Sequence, residues 1–81
     1  MKVDIIGKNC CTITIENEGV ILQSYATPVA FYDFHDGRIF VTSQKWSNTT
    51  SRHIKSFLKM FDNGCSICEV SQQEIHERIR I

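Results

Sequence analysis

A chain of 81 residues with zero formal net charge, 42% apolar and 22% charged, is neither a disordered tail nor a multidomain enzyme. At this length roughly 60% of the unfolded surface can be buried, so one domain with one small core is expected. No apolar run approaches the ~18 residues of a membrane span and "MKVDIIGKNC" lacks a signal-type apolar block, so we expect a cytoplasmic chain without membrane contact.

The first half reads as strands. "KVDIIG", "CCTITIEN", "GVILQSY", "VAFYDFH" and "RIFVTS" are short, rich in β-branched and aromatic residues, and separated by turn signals. Gly7-Lys8-Asn9, Asn17-Glu18-Gly19 and His35-Asp36-Gly37 are hairpin-sized, with Gly19 and Gly37 expected to take a positive φ. An antiparallel meander of about four or five strands follows. Alternation in the second strand puts Cys11, Ile13 and Ile15 on one face, which we expect to be buried, and Cys10, Thr12, Thr14 and Glu16 on the other. In "RIFVT", Ile39 and Val41 oppose Phe40, which is expected on the outer face or under a second layer.

A helical period then takes over. Ile54, Phe57, Leu58 and Phe61 recur at i, i+3, i+4 and i+7, one apolar stripe, and Asn63-Gly64 reads as the end of this helix with Gly64 in the left-handed conformation. An extended segment "CSICEV" follows. Ser71 and Glu74 then have capping-box spacing for a short C-terminal helix with Ile75 and Ile79 on its apolar side. A helix laid on an antiparallel sheet makes the fold class α+β.

The helix start carries the chemistry. Ser47, Asn48, Thr49, Thr50 and Ser51 are consecutive hydroxyl or amide side chains, flanked by Lys45, Trp46, Arg52 and His53. The first four N–H groups of a helix lack internal partners, and one Ser, Thr or Asn oxygen caps them. The remaining hydroxyls, the helix dipole and the nearby cations can receive a phosphate or carboxylate. Trp46 is either a loop anchor or a stacking platform. Charge is unevenly placed, which suggests a basic and an acidic face and leaves an anionic partner open despite zero net charge: from Gly37 to Phe61 there are five bases (Arg38, Lys45, Arg52, Lys55, Lys59) and no acid, whereas the rest holds nine acids and four bases. We take Lys45, Trp46, Ser47, Thr49, Thr50, Ser51, Arg52, His53, Lys55 and Lys59 as the candidate binding residues.

The segment Ser24 to Ile54, "SYATPVAFYDFHDGRIFVTSQKWSNTTSRHI", resembles a group of small uncharacterised proteins of bacteriophages and other mobile elements. Their pattern joins Y-x-T-P-V-A to K-[aromatic]-S-x-T-T-S-x-H. It is met here by Tyr25, Thr27, Pro28, Val29, Ala30, Lys45, Ser47, Thr49, Thr50, Ser51 and His53. Trp46 departs from the Tyr or Phe more familiar there. The resemblance implies a phage or mobile-element origin, and by analogy small phage proteins often act by binding.

Other chemistry is weaker. Cys65 and Cys68 have the C-x-x-C spacing of zinc and redox sites, with Cys10, Cys11 and His76 as further donors, but adjacent Cys10 and Cys11 on a strand point apart. Thiols packed as small hydrophobes are the expectation, and no cofactor. His35-Asp36 reads as turn chemistry. Ser47 or Ser51 with His53 lacks an elbow motif and a third orienting group, so no enzyme is expected. The leading reading is a non-enzymatic protein, monomer or small homo-oligomer, that docks a basic helix face on a host protein or nucleoprotein complex, with a host defence complex as the target it would inhibit. The alternatives are a nucleic-acid-binding module with Trp46 or Tyr32 stacking on bases, and an oligomer-forming accessory protein.

Overall fold

A computed structural model describes residues 1–61 and 65–79. The fold is α+β, with β1 (Lys2–Gly7), β2 (Cys10–Ile15), β3 (Gly19–Ser24), β4 (Thr27–Asp33), β5 (Arg38–Thr42), α1 (Asn48–Met60), β6 (Ser66–Val70) and α2 (Gln72–Arg78). All six strands join one sheet in sequence order. The first five form the expected antiparallel meander, and "CSICEV" contributes more than an extended linker: β6 returns after α1 to pair in parallel with β5, Ile39 opposite Ile67. A hairpin cannot make that connection; a crossover helix can.

Both faces of the sheet are covered in part. On one, Phe57 of α1 sits among Cys10, Val20, Leu22, Val29, Ala30, Ile39 and Val41, with Ile54, Leu58 and Phe61 packed at the edge, so the predicted stripe is the docking side of the helix. On the other, Ile75 of α2 packs with Ile21, Phe31 and Phe40. Phe40 therefore lies under a second layer, and Arg78 closes over its ring at 3.8 Å.

This two-sided cover corrects the reading of β2. Cys10 and Thr12 are buried beneath the α1 side, whereas Cys11, Ile13 and Ile15 are only half-buried on the α2 side. Alternation separates the faces correctly, but residue polarity misleads when the hydroxyl-bearing face is the better covered one. The turns also differ in detail. Gly37 has φ +64°, as expected, but in the β2–β3 turn Asn17 takes the positive φ (66°) and Gly19 does not. Gly19 lies in β3 packed against β4, where a side chain would meet the Tyr32 carbonyl oxygen and the Phe31 ring. Asn63-Gly64, the expected helix end, lies outside the described residues; α1 runs to Met60, capped by Phe61, whose N–H reaches the Leu58 carbonyl.

Ser71 caps α2 by accepting from the Glu74 N–H at 3.2 Å. The Glu74 carboxylate turns forward to Arg78 Nε, 2.9 Å away, instead of back to the cap. His35 and Asp36 lie in the β4–β5 turn, where Asp33 Oδ1 accepts from both of their N–H groups, at 2.9 and 3.4 Å.

Candidate functional site

Ser47 is the N-cap of α1, extended at φ −122° and ψ 168°, and its Oγ accepts from the Thr50 N–H at 3.2 Å. Its neighbours do not share one fate. Thr50 is 5% exposed and faces the sheet, which corrects the expectation that its hydroxyl is open to an outside group. Thr50 Oγ1 lies 3.0 Å from Ser24 Oγ, and Ser24 Oγ lies 2.7 Å from His53 Nδ1. Ser47 Oγ donates to Thr50 Oγ1 at 3.4 Å. One assignment lets each hydroxyl donate once along Ser47, Thr50, Ser24 and His53, and it leaves the proton of a neutral His53 on Nε2. The relay staples the first turn of α1 to the end of β3.

Ser24 was not among the expected residues, and its role has no local signal: it lies 29 positions from His53 in the chain. It is 2% exposed, so the part-buried contact with His53 is closed on the serine side. Replacing Ser24 by alanine should cost about 1–3 kcal/mol, because the Thr50 hydroxyl and the His53 nitrogen lose a buried partner. A urea unfolding midpoint that stays at the wild-type value would show that the relay contributes nothing.

Thr49 and Ser51 keep exposed hydroxyls without a partner among the described residues. Thr49, Arg52, His53 and Ser56, at i, i+3, i+4 and i+7, form one flank of α1. This flank borders a cavity of about 290 Å³ whose other wall is the β1–β2 hairpin: Ile6, Gly7, Lys8 and Cys10. Lys8 and Arg52 set two cations at the cavity, with two hydroxyls beside them and no carboxylate among the described lining residues. Cys10 contributes a neutral thiol, since burial, and secondarily the neighbouring Cys11, push its pKa up. Tyr25, exposed and at φ +57°, stands beside His53 with ring centroids 6.2 Å apart. A bulky residue in the left-handed region is uncommon.

The rest of the cationic set lies on the solvent side. Phe57 is two residues, about 200° around the helix, from Lys55. Arg52, Lys55 and Lys59, at i, i+3 and i+7, therefore form a stripe opposite the buried side. All three and Lys45 are exposed, and none makes an ion pair with any described residue. On the far face, Asp33, Glu74, Glu77 and Arg78 border a larger open depression of about 400 Å³. Charge is thus separated between the two helical layers.

Trp46 stays exposed while touching α2 through one hydrogen bond. It is 45% exposed, and its indole N–H donates to Gln72 Oε1 of α2 at 3.4 Å, away from the cationic stripe. Gln72 Nε2 in turn donates to the Pro28 carbonyl at 2.7 Å.

The C-x-x-C pair is pulled apart. Cys65 packs toward the α1 core and Cys68 toward the α2 core, because a spacing of three on a strand reverses the side. The two sulfurs cannot hold one ion together. Cys65 Sγ instead lies 3.4 Å from Tyr32 Oη, in hydrogen-bond contact, and that proximity to Cys65 is the main cause of a raised Tyr32 pKa.

No curated protein and no solved structure matches the chain. Residues 1–77 match a profile described as "Family of unknown function (DUF8033)", and with nearly its whole length covered the chain belongs to that family.

Proposed function

We propose that the protein is a non-enzymatic binding module that docks the cationic side of α1 on an acidic protein surface. The cavity between α1 and the β1–β2 hairpin would receive one acidic side chain of the partner. The observation that carries this reading is the set of cations without an ion-pair partner among the described residues. Arg52, Lys55 and Lys59 line the outer side of the helix, and Lys8 joins Arg52 at the cavity. Cations left without carboxylates gain little for the fold and are available to an external anion. Exposed Thr49 and Ser56 add neutral donors at the same place. The resemblance to phage and mobile-element proteins directs the proposal to a host protein, with a defence complex as the target it would block.

The test is capture from host lysate, followed by titration of the purified partner. The Arg52→Glu/Lys55→Glu variant should bind at least about tenfold more weakly, with an unchanged unfolding midpoint, since both side chains are exposed. Equal binding by the variant would refute the assignment. Short RNA and DNA form the second arm. A complex that weakens steeply and log-linearly with salt would replace the protein partner with a polyanion. A cation-dependent self-complex would instead indicate pairing with the acidic far face of another copy.

A further inference from the structure

We infer that β1 is a self-pairing edge, joining the β1 of a second copy antiparallel across a two-fold axis at Val3, so that two sheets become one. Strand β1 is the outermost strand and pairs only with β2, which leaves one row of its backbone N–H and C=O groups without partners in the sheet. Its side chains are as open as its edge: Met1 is 83% exposed, Val3 56% and Ile5 83%. These apolar residues alternate along the strand and share one face. Val3 is opposite Ile13 and Ile5 opposite Cys11, so that face is the α2 side of the sheet. Helix α2, however, lies over β4 and β5, and Ile13 and Ile15 beside β1 remain half-buried. The result is an apolar strip ending at an open edge.

The occupant follows from the register. In a two-fold antiparallel pair, residue i faces residue j with i plus j constant. With Val3 facing itself, Met1 faces Ile5 of the other copy, so apolar meets apolar. On the opposite face Lys2 meets Asp4 of the other copy, and Asp4 meets Lys2. Both faces are satisfied at once, and the isologous requirement of a two-fold dimer is met. Shifting the axis to Asp4 puts Asp4 against Asp4, and shifting it to Lys2 puts Lys2 against Lys2. A shift by half a residue sets charged side chains opposite apolar ones. Within the monomer Lys2 and Asp4 are held only weakly, 4.0 Å apart with both side chains well exposed, so exchanging partners loses little. The opposite edge, β6, offers no such match. Glu69 is its only charged residue, and a two-fold pairing supplies no cation opposite it.

Sedimentation equilibrium up to millimolar protein tests the idea, with charge complementation to fix the register. The wild type should show a monomer–dimer equilibrium. Lys2→Asp and Asp4→Lys should each weaken self-association by about tenfold or more, since each brings like charges together. An equimolar mixture of the two variants should recover the dimer. A wild type that stays monomeric throughout would overturn the inference. So would a dimer that both single variants form as well as the wild type, because it would use another surface. The exchanged residues are exposed, so each variant should keep the wild-type unfolding midpoint.

Discussion

Phe57→Ala should cost about 3–5 kcal/mol, a large part of the whole stability of a domain this size, which is about 4–12 kcal/mol at ordinary per-residue values. Phe57 is 0% exposed and is the one apolar residue of α1 that is fully buried. Its ring contacts Phe61 edge-on at 4.9 Å, Phe61 continues to Tyr32 at 5.0 Å, and Tyr32 to Phe34 at 5.3 Å. Truncation opens a cavity at one end of this row and leaves α1 held by half-buried Ile54 and Leu58 and by the Ser24 relay. The loss should appear in urea as a lower midpoint with little change in slope, and in hydrogen exchange as faster opening of the α1 amides. A loss below about 1 kcal/mol would mean that α1 is attached by something other than this contact.

Gly19→Ala should be the most damaging single-methyl change in the sheet. A Cβ at Gly19 would collide with the Tyr32 carbonyl oxygen and lie 2.7 and 2.8 Å from two carbons of the Phe31 ring. A long side chain could swing aside, but a backbone oxygen in a paired strand cannot, so β3 and β4 have to separate locally. Overpacking of this kind costs about 1–3 kcal/mol, and the backbone contact puts Gly19 at the upper end. Gly37→Ala is the control. Its φ of +64° penalises alanine by about 1–2 kcal/mol, but the added methyl would meet nothing within 4 Å. Midpoints in the order wild type, Gly37→Ala, Gly19→Ala support the close-approach account; the reverse order would remove it.

Those two glycines show how far the sequence could be read. Turn composition located both hairpins, but the reason for Gly19 is a contact across strands, which no local pattern encodes. The same division runs through the fold. The helical stripe at Ile54, Phe57, Leu58 and Phe61, and the cap at Ser71, depend on spacing within a few residues and could be read directly, whereas several adjacent side chains could equally have capped α1 and only the structure singles out Ser47. The parallel β5–β6 pairing depends on where a crossover returns. The burial of Thr12 depends on a helix docking over that side of the sheet. At the candidate site, Arg52, Lys55 and Lys59 could be recognised as an outward stripe from their period alone. Lys8, Cys10 and Ser24 could not, because they reach α1 from a turn and two strands far away in the chain. Thr50 is indistinguishable in sequence from its exposed neighbours, because adjacent residues of similar chemistry on a helix point about 100° apart.

The parallel return of β6 has a consequence for the spacing of the cations. α1 must carry the chain from the end of β5 back to the level where β6 begins, and the two strands are in register from Arg38 opposite Ser66 to Thr42 opposite Val70. A five-residue strand spans about 17 Å, and a 13-residue helix about 20 Å. The sheet therefore acts as a ruler for the helix, and Arg52, Lys55 and Lys59 inherit a fixed reach of about 10 Å along the axis. Lengthening α1 by a turn would not extend this array toward a partner; it would force the surplus into the connection to β6.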